Sequence, residues 1–108
     1  MRKEYSYNKL VRDNIPDIVS KKSQIAVYHY LDEEDYYVEL KRKLLEEIDE
    51  FLKNEYIEEL ADILEVIKAL VDLLGYSESF EAIRERKAKE KGRFNNRIFL
   101  EKVVEIID

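Results

Sequence analysis

The chain has 108 residues, 41% of them charged and 45% hydrophobic, with a formal net charge of −6; this fits one soluble domain with a modest core, spanning residues 1–108. With no cysteine it has no disulfide, thiolate metal site or cysteine nucleophile. No run approaches the roughly 18 apolar residues of a membrane span, and the opening MRKEYSYNK lacks a signal peptide's apolar stretch, so the expected location is cytoplasmic with no membrane partner.

In chain order, YNKLVRDNIP ends at Pro16, which suits the first turn of a short helix reaching about Lys22, with Asn14 as its cap. IAVYHYL, residues 25–31, is aromatic and β-branched and reads as a strand or an extended linker. Asp32 begins a helix to about Lys53 whose first turn holds Glu33, Glu34 and Asp35, the favourable end for acids. A second long helix runs from near Glu55 to Gly75, and Ser77 can cap a third from about 78 to 91, closed by Gly92. The two long helices meet across about three residues, a connection that makes them an antiparallel hairpin. The tail RIFLEKVVEIID is ambiguous between a helix and a strand followed by a helix. The expected class is therefore an all-α helical bundle with a short extended N-terminal segment. Two long helices leave apolar surface that a second copy would cover, so a homodimer with a four-helix core is expected.

Charge is unevenly distributed. Residues 32–65 carry 14 acids and 4 bases, whereas residues 84–97 carry 7 bases and 2 acids. The acidic middle argues against a surface for duplex nucleic acid. At 100° per residue, Tyr37, Leu40, Leu44, Ile48 and Phe51 form one apolar stripe on the first long helix, widened by Leu45 and Leu52. Glu47 borders that stripe, Glu50 lies one step further round, and Glu46 and Asp49 point away. On the second helix the stripe is Leu60, Ile63, Leu64, Ile67, Val71 and Leu74, flanked by Glu59 and Asp62, whose sector continues as Val66, Leu70 and Leu73.

Each flanking pair is spaced i, i+3, placing its members on one face about 4.5 Å apart along the axis. With the hairpin turning between Asn54 and Glu55, Glu50 lies level with Glu59 and Glu47 with Asp62. Four carboxylates that close in a dry site would push at least one proton back on. A divalent cation removes that repulsion, and an all-oxygen ligand set favours magnesium or manganese. The bland reading is a Glu-rich hairpin whose acids are simply solvated.

At these residues the chain resembles the MazG-like, all-α nucleoside triphosphate pyrophosphohydrolases, whose signature is E-E-x-x-E followed after a variable gap by E-x-x-D. Here the matching runs are Glu46-Glu47-Ile48-Asp49-Glu50 and Glu59-Leu60-Ala61-Asp62. YNKLVRDNIP and KAKEKGRFNNRIFL look like the phosphoribosyl-ATP pyrophosphohydrolase-like branch, which often has two glycines where this chain has Gly92-Arg93. The resemblance implies that Glu47, Glu50, Glu59 and Asp62 are magnesium ligands and form the catalytic set. It also implies a nucleotide substrate, hydrolysed between its α and β phosphates to a monophosphate and pyrophosphate. Glu46 matches the motif, but the wheel turns it outward. A polyphosphate needs positive charge beyond the metal, and the candidates are Lys9, Arg12, Lys87, Lys91, Arg93 and Arg97. Arg12 is alternatively a local ion pair with Asp13, and Lys87 and Lys91, i and i+4, alternatively face solvent. The lone His29 reads as a structural or surface residue, and most of the eight tyrosines as amphipathic core edges. Two rival functions remain open: a phosphoribosyl-ATP hydrolase of histidine synthesis and a non-catalytic helical module.

Overall fold

In a computed structural model, which describes residues 2–107, the regular structure is four helices: α1 (Ile15–Lys21), α2 (Glu33–Asn54), α3 (Ile57–Leu73) and α4 (Phe80–Lys91). Among the described residues there is no strand. The chain comprises two compact units, Met1–Ser77 and Glu78–Asp108.

The first unit is organised by α2 and α3, which pack against each other as a hairpin. α2 starts where the Asp32 carboxylate accepts the Asp35 amide at 2.8 Å, with Glu33, Glu34 and Asp35 in the first turn and Lys53 in the last. These charges complement the helix dipole at both ends. Glu55 then takes a left-handed conformation (φ 58°, ψ 28°), with its amide donating to the Phe51 carbonyl at 2.8 Å, and extended Tyr56 leads into α3. A non-glycine residue there costs about 1 kcal/mol, and the side chains around the turn hold it. α3 stops in a Schellman arrangement: Gly75 at φ 84° donates to Asp72 and Tyr76 to Val71.

Among the described residues Leu40 on α2 and Val66 on α3 are the buried apolar side chains, and Tyr37, Leu44, Phe51, Ile63 and Ile67 are half-buried. On α3 the buried line is the flank that begins at Glu59 and continues through Val66. Leu60, Leu64 and Leu74, expected in the core stripe, are exposed. Both faces of α3 are apolar, and a hairpin can bury only the one its turn aims at α2. On α2 the widening positions Leu45 and Leu52 are also exposed, at 69% and 70%.

Residues 25–31 form neither helix nor strand, and neither do residues 98–107, where a helix or a strand followed by a helix is expected from the sequence. The second unit holds α4, which ends at Gly92 with φ 85°. Ser77 does not cap it: Ser79 is the N-cap residue, and the Ser77 hydroxyl bonds the Asp72 carboxylate. Asn14 occupies the N-cap of α1 without a side-chain cap bond. No helix among the described residues is long and apolar enough to cross a membrane.

Candidate functional site

Glu59 is the buried acid of the hairpin, at 9% exposure. It sits at the third position of α3, and its carboxylate accepts the Tyr56 amide at 3.3 Å, closing the helix N-terminus. Its other oxygen lies 3.4 Å from the Asn54 amide nitrogen, which also bonds Glu50 at 3.2 Å. One amide at the end of α2 thus stands between Glu50 and Glu59, the pair whose levels match across the turn.

Glu47 and Asp62 have separate partners. Lys43, one turn earlier on α2, lies 3.4 Å from Glu47 and 3.5 Å from Glu46, and the Lys43 and Glu47 side chains are mostly buried. Asp62 accepts the Arg12 guanidinium at 2.7 Å. Arg12 therefore reaches across to α3 rather than pairing with its neighbour Asp13. Lys9 bonds Glu46 at 3.0 Å.

Glu46 corrects the helical wheel, which turned it to solvent. Its side chain is only about one-third exposed and meets two ammonium groups. A wheel describes one helix and cannot anticipate a segment that crosses it. Partial burial pushes the Glu46 carboxyl up, but the Lys9 hydrogen bond and the charges of Lys43 and Lys9 outweigh it and hold the group below its ordinary value of 4.5. A depressed folded-state value means that the unfolded chain binds the proton more readily. The stabilisation is present above pH of about 4.5 and lost as pH falls through the lower folded value. Glu46→Gln should therefore melt below wild type at neutral pH, with the gap closing on acidification. A gap that stays constant through the acid range would contradict this pairing.

Lys43 and Asn54 are the site residues that the sequence reading passed over. The signal for Lys43 was its i, i+4 spacing to Glu47, a position where opposite charges meet. Asn54 was visible only as a turn residue.

Among the described residues, no three acid, histidine or cysteine side chains are gathered as a metal would need. The donor chemistry nevertheless fits a hard cation, because Glu47, Glu50, Glu59 and Asp62 offer oxygens alone. No buried side-chain nitrogen or oxygen among the described residues lacks a partner; the chain's own Lys43, Arg12 and Asn54 supply the compensation at these acids.

The other basic candidates belong to the second unit. Lys87 and Lys91 are exposed on α4. Lys91, Arg93 and Arg97 line a concavity of about 520 Å³ together with Asn95 and Asn96. Arg93 bonds Glu85 at 3.2 Å, and the left-handed backbone falls on Gly92 and Arg97 rather than on Arg93. No family model, curated protein or solved structure matches the chain.

Proposed function

We propose that the chain is a MazG-like nucleotide pyrophosphohydrolase that uses magnesium, or manganese in its place. It adds water across the bond between the α and β phosphates of a nucleoside triphosphate, giving the monophosphate and pyrophosphate, in clearance of the nucleotide pool. The observation that carries this reading is the acid set Glu47, Glu50, Glu59 and Asp62 on two packed helices, with Glu59 buried and the others held by the chain's own cations and amide. Glu59 and Glu47 are withdrawn from water, whereas Asp62 is half-buried and Glu50 is exposed.

Glu47, Glu50, Glu59 and Asp62 would hold the cation. When bound, magnesium neutralises phosphate charge and lowers the pKa of the attacking water. Glu50 is the most exposed of the four and is assigned to orient or deprotonate that water; an unchanged rate in Glu50→Gln would remove it from this role. Lys9 and Arg12 supply positive charge in the first unit. In the second, the basic concavity offers Lys91, Arg93 and Arg97 to phosphate, with Lys87 one turn earlier.

The assembly we propose is a homodimer. Leu45 and Leu52 on α2 and Ile57, Leu60 and Leu64 on α3 are exposed, and in the antiparallel register Leu45 lies level with Leu64 and Leu52 with Ile57. Two hairpins packed through these stripes form a four-helix core. Light scattering at micromolar concentration should give twice the chain mass; a monomer would refute the dimer.

The function is tested by pyrophosphate release from a panel of ribo- and deoxynucleoside triphosphates, with phosphoribosyl-ATP alongside, with and without magnesium. Magnesium-dependent release supports the reading and ranks the substrates. Turnover of phosphoribosyl-ATP alone would assign the chain to histidine synthesis. No release, together with no magnesium-induced rise in melting temperature, would favour a non-catalytic helical module.

A further inference from the structure

We propose that the segment carrying Lys9 and Arg12 is a strap that engages the acid site at one of its four carboxylates, Asp62, in the cation-free chain, is anchored beside it at Glu46, and is displaced by a divalent cation. The inference rests on the reading of the acids as metal ligands. It adds a competition that the resemblance does not supply.

The strap is defined by two contacts made three residues apart. Lys9 bonds Glu46 on α2 at 3.0 Å, and Arg12 bonds Asp62 on α3 at 2.7 Å. One irregular stretch is thereby tied to both arms of the hairpin. Around these two side chains residues 2–13 have no helix or strand, Tyr5, Tyr7 and Val11 are exposed, and only Leu10 is half-buried. Little apolar packing therefore holds the segment, and the ion pairs are its main attachment. All four side chains remain open to water, from about one-third to more than half exposed. Pairs of that kind are weak and screened, which makes them displaceable.

The competition follows from the atoms involved. Asp62 Oδ1 accepts Arg12 Nη2, and the same carboxylate is one of the four proposed ligands. A cation drawing on that oxygen removes the guanidinium's partner and adds a positive charge that repels it. Lys43 and Asn54 are fixed on α2 beside the other acids and can yield only by rotating their side chains, whereas the strap can leave as a unit. Release would free Arg12 and Lys9 for phosphate oxygens at the moment when the site becomes competent to use them. Because binding couplings are reciprocal, removing the strap must strengthen cation binding by the factor with which the cation loosens the strap.

Two measurements on the full chain test this without reference to turnover. Manganese binding, followed by loss of the free-ion electron paramagnetic resonance signal, should be tighter in Arg12→Gln than in wild type by about fivefold or more. Lys9→Gln, which removes the other attachment, should shift it the same way by less. The Arg12 guanidinium resonance, identified by its absence from the Arg12→Gln spectrum, should show restricted rotation in the cation-free protein and free rotation once magnesium is bound. Equal or weaker manganese binding in both variants, or a guanidinium that stays restricted with magnesium bound, would overturn the strap while leaving the metal reading intact. No manganese binding by any of the three proteins would overturn both.

Discussion

Glu59→Gln should reduce magnesium-dependent pyrophosphate release by about 100-fold or more while lowering the melting temperature by only a few degrees. Losses of about 10- to 100-fold are typical when a group that supports a metal ligand is removed, and Glu59, proposed as a ligand itself, belongs at or beyond the top of that range. The small stability change follows from what glutamine keeps. Its carbonyl oxygen still accepts the Tyr56 amide, so the N-terminus of α3 remains closed. What it loses is the charge and the acceptor facing Asn54, where an amide nitrogen would meet another amide nitrogen. Comparing kcat/KM with thermal melting separates the two roles. A variant that loses activity only in proportion to its fold would make Glu59 a helix cap and nothing more.

Leu40→Ala should be the most destabilising of the simple core truncations. Leu40 is 3% exposed, and cutting such a side chain to alanine costs about 3 kcal/mol through lost burial and the cavity left behind. For a domain of this size that lowers the melting temperature by at least about 10 °C. Leu45→Ala provides the contrast. Leu45 is exposed on the single chain, so its truncation should matter only where a second hairpin covers it, and the effect should depend on protein concentration. Equal losses at Leu40 and Leu45 at every concentration would contradict the buried face assigned to the hairpin.

The hairpin was legible because its signals are local. Asp32 followed by three acids starts α2, Gly75 ends α3, and 3.6-residue periodicity fills both helices. The matching of Glu50 with Glu59 was legible too, since a tight turn fixes which residues stand level. The buried face of α3 was not. Leu60 and Leu64 make as apolar a stripe as Val66 and Leu70, and the left-handed Glu55 and extended Tyr56 choose between them. Residues 25–31 have strand composition and residues 98–107 an apolar composition open to helix or strand, but a strand exists only with a partner and a short helix needs a surface to pack on, neither of which composition provides. At the acids, a sequence shows carboxylates and their spacing, while the cations that neutralise them come from elsewhere in space. Arg12 is fifty residues from Asp62, and Lys9 is thirty-seven from Glu46.

The central claim is that these acids serve the hydrolysis of a nucleotide between its α and β phosphates. Phosphorus NMR of a nucleoside triphosphate incubated with the protein and magnesium tests it most directly, because the products identify the bond broken. The account predicts equal amounts of nucleoside monophosphate and pyrophosphate, and none when magnesium is chelated. A diphosphate with inorganic phosphate, or a triphosphate left intact across the substrate panel, would contradict it.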